Sequence, residues 1–312
     1  MNDIVKGKII IVGVGRSGTT LLQNMLNSHR DIAFIPEINY IRRFLFNRNL
    51  DKQYLKGRDN FVFFLKKDKW ISRLNGRIFR RINFEQISKF NFAAGLYESI
   101  LSANSELIKK PIAGDKDPRS IELVGKINKI IPNVHWIHIM RDPRDVLLSK
   151  MNADWSKNGT ILKHIYASYV QLNFAKNWKQ KLPNIFTELY YEDLITDPES
   201  TLKVLCTSIG LEYDPKMLNY EESAKTLVAK DEYSWKKEVF LPLIQSNKLK
   251  WQKELNDWQV ALVEQLVAPA FIHYNYNRSL PILNIFRRIQ ILLIKLIFII
   301  SSKLYFWFRM KF

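Results

Sequence analysis

The first 35 residues alternate between two kinds of hydrophobic pattern. Residues 8–12 form a short run dominated by isoleucine, which predicts a buried strand. Residues 19–27 place apolar side chains at helical spacing, and residues 32–35 form a second apolar run. A strand, a helix and a strand in this order predict a βαβ unit at the start of the chain.

Three further apolar runs continue this alternation. They cover residues 111–113, 134–140 and 185–191, and helical patterns separate them. Strands that alternate with helices usually form one parallel sheet with helices on both faces. The hydrophobic pattern therefore predicts the α/β fold class, with a central parallel sheet flanked by helices.

Helical patterns dominate the rest of the chain. Residues 41–109 are basic and aromatic and contain no convincing strand, so we expect a helical insertion that shapes a cleft. After residue 197 the pattern is again helical, and we expect three tryptophans there to be packing anchors: Trp235, Trp251 and Trp258.

The last 32 residues have a composition of their own. Residues 281–312 are dense in Ile, Leu and Phe, but cations interrupt them at Arg287, Arg288, Lys295 and Lys303. We therefore expect no uninterrupted spanning segment, but an amphipathic helical tail in the membrane interface, after an α/β domain over residues 1–280. A helix docked on the domain, a dimer contact, or a short tilted span after Lys295 are the alternatives.

Composition restricts the partners and the compartment. The chain has 312 residues, is 47% apolar and carries a formal net charge of +18, which predicts an anionic partner such as a nucleotide, an acidic polymer or a membrane. No zinc-finger spacing or RNA-binding motif supports nucleic acid. The single cysteine, Cys206, excludes an intrachain disulfide, and no secretion signal is evident, so we expect a cytoplasmic protein, in part at the inner membrane face.

A glycine-rich loop follows the first predicted strand. Gly13, Gly15 and Gly18 precede a helix, which is the arrangement that brings backbone N–H groups onto a phosphate. The loop departs from G-x-x-x-x-G-K-[ST] because Thr19 stands at the lysine position. The sheet is therefore expected to be P-loop-like, but a kinase or NTPase becomes the less favoured alternative.

A second candidate anion site follows the fourth predicted strand. Arg141 stands at the strand end and Ser149 lies on the following helix. Ligands of open α/β sheets bind outside the carboxyl ends of the strands, so Arg141 should point toward the same crevice as the glycine-rich loop. An ordinary ion pair with Asp142 or Asp145 is the alternative for Arg141 or its neighbour Arg144.

These segments together resemble sulfotransferases that use 3′-phosphoadenylyl sulfate (PAPS). The segment from residue 16 to 20 resembles the 5′-phosphosulfate loop of that family, and Arg141 with Ser149 resembles its 3′-phosphate motif. Glu37 and Lys116 match the catalytic glutamate and lysine of the tyrosylprotein sulfotransferases and related bacterial enzymes. Tyr191, in Tyr-Glu-Asp, resembles an element near the adenine. The resemblance implies these donor-binding residues: Arg16, Ser17, Gly18, Thr19, Thr20, Arg141, Ser149 and Tyr191.

The resemblance also implies a mechanism. Glu37 would take the proton of the acceptor hydroxyl, while Arg16 and Lys116 would stabilise the leaving phosphate. No metal is required, and the five histidines show no metal-ligand spacing. His29 ends the first helix and is expected to cap or pack.

The acceptor is open at this stage. A saccharide or lipid-linked saccharide hydroxyl is the preferred acceptor, with protein tyrosine as the alternative. The non-enzymatic alternative is a basic module that binds membranes or nucleotides and has lost its chemistry.

Overall fold

A computed structural model describes residues 7–46, 49–87, 92–154, 156 and 158–311. The described residues form one parallel sheet of five strands in the order β2-β3-β1-β4-β5. The strands are β1 (Gly7–Gly13), β2 (Ile32–Phe34), β3 (Ile112–Lys116), β4 (Val134–Met140) and β5 (Phe186–Tyr190). The predicted α/β class is therefore confirmed.

Helices connect the strands and cover the sheet. The first eight are α1 (Thr19–Ser28), α2 (Asn49–Tyr54), α3 (Arg58–Lys67), α4 (Gly76–Arg81), α5 (Phe92–Ile108), α6 (Val124–Ile130), α7 (Pro143–Asn152) and α8 (Ile161–Lys181). The rest are α9 (Tyr191–Thr196), α10 (Pro198–Ser208), α11 (Glu221–Leu227), α12 (Tyr233–Lys236), α13 (Trp251–Glu254), α14 (Asp257–Leu266), α15 (Ala268–His273) and α16 (Ile285–Lys311). Short 3₁₀ turns and a π turn (Ile41–Leu45) link some of them.

The isoleucine run places β1 at the centre of the sheet. Successive side chains of a strand point to opposite faces, so each face receives alternate residues of β1. Ile10 and Val12 join the core on one face, whereas Ile9 and Ile11 join the core on the other. A strand buried on both faces must be apolar throughout, which explains why β1 shows no polar alternation.

The predicted helical insertion is confirmed for the residues that the structure describes. Between residues 41 and 109, those residues form helices and turns and no strand. Aromatic side chains hold this part together, and the rings of Tyr54 and Phe92 stack with centroids 4.3 Å apart. Phe61 packs edge-on against the same pair, so aromatic residues form part of the core of the insertion.

The tail forms one long helix, α16, which begins at Ile285. The preceding residue, Asn284, accepts a hydrogen bond from the Arg287 N–H with its side-chain oxygen. One face is docked on the protein, where Ile291 and Phe298 are buried. An 18-residue window of this helix has a mean hydropathy of 1.9, so by length and composition alone it could cross a bilayer. That window still contains Lys295 and Lys303, in line with the sequence expectation that cations interrupt the apolar run.

Candidate active site

The glycine-rich loop connects the end of β1 with the first turn of α1. The Ser17 N–H donates to the Val14 carbonyl over 3.1 Å, and Arg16 has a left-handed φ of 79°. Gly18 is also left-handed, at φ 88°, and a Cβ on it would lie 2.3 Å from Cδ2 of Tyr191. The loop therefore needs glycine at residue 18, where it brings the N-terminus of α1 against Tyr191.

Arg16 and Arg141 meet beside this loop. The Arg16 Nε donates to the Ser149 hydroxyl over 3.0 Å, while an Arg141 Nη donates to the Arg16 carbonyl over 3.2 Å. The Arg141 guanidinium also stacks 4.4 Å from the ring centre of Tyr191. The structure thus brings the loop, Arg141, Ser149 and Tyr191 to one place at the carboxyl edge of the sheet.

Arg141 retains capacity for a ligand. Its Nε–H is buried and has no hydrogen-bond partner among the described residues. The neighbouring Arg144 takes the ion-pair role that the sequence left open for either arginine, since it pairs with Asp142 over 2.7 Å and with Glu264 over 2.6 Å. A buried guanidinium N–H without a partner fits an anion at Arg141.

Two adjoining cavities surround these arginines, with volumes of about 100 and 290 Å³. The smaller cavity reaches the loop at Gly18, Thr19 and Thr20 and the aromatic rings of Tyr191 and Tyr220. The larger one reaches Ser149 and Lys250. Both cavities share these lining residues: Arg16, Arg141, Trp235, Glu238 and Asn247. The pair could therefore hold an elongated anion that spans the two arginines.

Glu37 and Lys116 lie on the other side of the loop. Phe34 at the end of β2 pairs with Gly114 of β3, so the residues that follow β2 emerge beside the end of β3. The Glu37 carboxylate forms an ion pair with the Lys116 ammonium, which is almost fully buried. The predicted strand at 111–113 was too short; because β3 continues to Lys116, this side chain is fixed by the sheet.

A second lysine binds the same carboxylate. Lys236, on α12, places its Nζ 3.0 Å from Glu37 Oε2 and 2.7 Å from Glu232 Oε2. Arg73 joins this network from the insertion, where it donates to the Glu37 carbonyl over 3.0 Å. Glu37 is therefore held by side chains from three separate parts of the chain.

The charges around Glu37 set the protonation states. Burial opposes ionisation of Glu37, but Lys116 and Lys236 outweigh it and hold the pKa of Glu37 well below its usual range. Burial lowers the pKa of Lys116, and Glu37 offsets part of that shift. The cluster therefore holds an ionised carboxylate between two cations.

Sequence reasoning missed the segment that contains Lys236. Trp235 is not the predicted packing anchor, because it lines both cavities and its carbonyl accepts from Arg16 over 3.1 Å. Asn247 binds the Tyr191 hydroxyl and Glu238, each over 2.9 Å. Trp251 is buried, as expected of an anchor. Trp235 and the two lysines that follow it, Lys236 and Lys237, were the sequence features that could have indicated this segment.

The sequence predicts that His29 caps or packs. His29 is buried and shares a hydrogen bond of 2.9 Å with the Glu212 carbonyl, so it packs as expected and lies outside the cavities described above. Within the described part of the chain, no group of three His, Cys, Asp or Glu side chains is placed to hold a metal ion.

A protein family and several known proteins match the sequence of this chain. The model of the family described as "Sulfotransferase family" matches residues 8–215. A protein-tyrosine sulfotransferase of Drosophila melanogaster is 24% identical over 226 residues, and an uncharacterized protein of Aquifex aeolicus is 24% identical over 236 residues. These alignments cover 69% and 70% of this chain, but they span only 40% and 28% of the two relatives.

A solved structure shows the same fold. The sulfotransferase domain from the Synechococcus PCC 7002 olefin synthase superposes with a TM-score of 0.61 at 16% sequence identity. The superposition covers 87% of this chain and 94% of that domain. The likeness therefore extends over nearly the whole of both chains.

Proposed function

The chain belongs to the sulfotransferase family, and from this premise we propose that it transfers a sulfuryl group from PAPS to a hydroxyl group. One observation carries the proposal: two cavities joined at Arg16 and Arg141 open beside a carboxylate that is paired with two lysines. The first feature suits a donor with two phosphate groups, and the second suits proton transfer from an acceptor.

The donor is proposed to bind along the two cavities. The N–H groups of the loop and of the first turn of α1 would hold the 5′-phosphosulfate, with Ser17, Thr19 and Thr20 contributing hydroxyls. Arg141 and Ser149 would hold the 3′-phosphate, which the unpartnered Nε–H of Arg141 supports. Tyr191, whose ring is already stacked by Arg141, would face the nucleoside.

Glu37 is proposed as the general base. The acceptor oxygen bonds to sulfur while the bond from sulfur to the 5′-phosphate oxygen breaks, and the hydroxyl proton moves to Glu37. Negative charge leaves on adenosine 3′,5′-bisphosphate (PAP), where Arg16 and Lys116 would stabilise it. Positioning and electrostatics carry most of such a transfer, as in phosphoryl transfer.

The two lysines on Glu37 suggest how the base gains strength. With both ion pairs intact, Glu37 remains ionised but is a weak base, because its pKa is held low. Donor oxygens would compete with Glu37 for Lys116 and Lys236. Loss of either pairing would raise the Glu37 pKa, so the carboxylate becomes a better base when the donor is present.

The acceptor is proposed to be a saccharide or lipid-linked saccharide at the cytoplasmic face of a membrane. A lipid-linked substrate suits the exposed apolar face of α16. Protein tyrosine is the second candidate, because relatives such as the Drosophila protein carry that name.

The test uses PAPS that carries radioactive sulfur. The purified chain is incubated with membrane glycolipids, with soluble polysaccharide and with a tyrosine peptide, and label in each acceptor is measured. We expect label in a saccharide fraction and a loss of at least about 100-fold in Glu37→Gln, the scale of general-base catalysis. Lys225→Gln, which alters an exposed ion pair with Glu222, is the matched control.

The outcomes separate the assignments. Label in the peptide alone would move the acceptor to protein tyrosine. Full activity in Glu37→Gln would contradict the base, and transfer of phosphate from ATP in place of sulfate would contradict the donor.

A further inference from the structure

Helix α16 has two apolar faces, one docked on the protein and one exposed. The docked face includes Ile291, Phe298 and Phe306, and the Phe306 ring stacks on Phe174 with centroids 3.9 Å apart. Polar contacts secure its end, where Tyr305 and Arg309 both bind the buried Glu122. The helix is therefore a fixed part of the protein surface.

The opposite face carries an exposed apolar stripe. We define it by Ile289, Leu293, Leu296, Ile300, Leu304 and Trp307, which follow each other at intervals of three and four residues. Each of these side chains is at least 47% exposed. At 1.5 Å per residue the stripe is about 27 Å long, which exceeds what single scattered apolar residues on a protein surface explain.

Charge indicates what covers the stripe. Residues 281–312 contain no Asp or Glu, and they contain six cations: Arg287, Arg288, Lys295, Lys303, Arg309 and Lys311. A second copy of the chain would bring an equally cationic helix against the first, and the like charges would repel. A membrane with an apolar interior and anionic headgroups complements both the apolar stripe and the cations of the helix.

We propose that the exposed stripe of α16 inserts into the interfacial layer of an anionic membrane, with the helix lying in the membrane plane. A spanning orientation would withdraw Ile291, Phe298 and Phe306 from the core. It would also remove the Tyr305 and Arg309 contacts from the buried Glu122. In-plane insertion keeps these contacts and buries the stripe as well. This interaction is independent of sulfuryl transfer.

Vesicle sedimentation of the full chain tests the proposal. The protein is mixed with phosphatidylcholine vesicles that either contain or lack phosphatidylglycerol. We expect sedimentation with the anionic vesicles, weaker binding at raised salt, and release by alkaline carbonate. The triple variant Leu293→Ser, Leu296→Ser, Ile300→Ser should bind at least about tenfold more weakly, since each change removes apolar contact with lipid.

A second triple variant controls for the loss of three exposed apolar side chains. Leu55, Val204 and Ile272 are large apolar residues that are at least 71% exposed elsewhere on the protein, and changing all three to serine should leave vesicle binding unchanged. Thermal stabilisation by PAP should persist in both variants. This stabilisation reports on the donor site alone. A failure of donor binding would therefore be distinguished from a failure of membrane binding.

Three results would overturn the proposal. Equal binding by the two triple variants would show that the stripe is not the membrane contact. Resistance to carbonate would indicate a spanning helix. A dimer that depends on the stripe, without vesicle binding, would identify a second copy as the occupant.

Discussion

Gly18 illustrates how one residue can set the geometry of the candidate donor site. Its left-handed φ and the close approach of the Tyr191 ring both exclude a side chain there. Gly15 lies in the same loop, yet a Cβ on it would meet nothing within 4 Å. The two glycines therefore have different structural requirements although the sequence motif presents them alike.

Replacement of these glycines should separate their roles. Gly18→Ala should weaken PAP binding at least about tenfold, because either the loop or Tyr191 must move, at a cost of about 1–3 kcal/mol. Gly15→Ala should change the affinity little. Isothermal titration of PAP into both variants measures the difference, and equal affinities would contradict the proposed contact.

The buried carboxyl group of Asp115 should make the stability of the folded protein depend on pH. It is buried beside Lys116 and accepts from the Tyr97 hydroxyl over 2.7 Å. Burial raises the pKa of Asp115 from 3.8 to about 7. Between these values the folded protein keeps a proton that the unfolded chain has lost, so this group's contribution to stability is complete below pH 4 and declines as the pH rises to 7.

Asp115→Asn should remove that decline. Denaturant unfolding of the variant and the wild type at pH 4.5 and pH 8 measures it, since these values lie within and above the titration range. We expect the variant to gain stability relative to the wild type at the higher pH. A difference that stays constant between the two pH values would mean that Asp115 does not titrate in this range.

At the scale of elements, the site depends on where parallel strands end. β2, β3, β1 and β4 deliver Glu37, Lys116, the glycine-rich loop and Arg141 to one edge. Hydrophobic runs predicted the strands and motif spacing selected these residues, because both signals are local in the sequence. The candidate site could therefore be assembled from the sequence as far as residue 191.

The segment from residue 230 to 250 could not be predicted in the same way. Lys236 lies 199 positions from Glu37, and its contact depends on how short helices and turns fold back over the sheet. Such turns show no strong hydrophobic period. Only the packed structure reveals that Lys236, Trp235 and Asn247 cover the cleft.

The ion pairs of Lys236 should stabilise this covering segment. Lys236→Gln leaves Glu232, which is buried, without one of its cations, so we expect a loss of about 1–3 kcal/mol in the free energy of unfolding. Lys225→Gln breaks an exposed pair and should cost less than about 1 kcal/mol. Urea unfolding compares them, and equal losses would show that the Lys236 network adds no stability.

At the scale of the whole molecule, the excess of cations that gives the net charge of +18 is found on two surfaces. Arginines and lysines line the cavities proposed for the donor, and six cations accompany the apolar tail. Composition predicted an anionic partner without distinguishing these surfaces. The fold separates them, because the cavities lie at the sheet edge whereas α16 packs against α14 and the aromatic residues of α8.

Thermal unfolding with nucleotides tests the central claim most directly. The midpoint is measured without ligand and with PAP, adenosine monophosphate or ATP, for the wild type and Arg141→Ala. A ligand at a hundredfold excess over its dissociation constant adds about 2.7 kcal/mol, enough to raise the midpoint by a few degrees. We expect PAP to stabilise the wild type far more than either control does, and Arg141→Ala to lose that selectivity. Stabilisation by ATP with magnesium in preference to PAP, or no response to any nucleotide, would contradict a PAPS-dependent sulfotransferase.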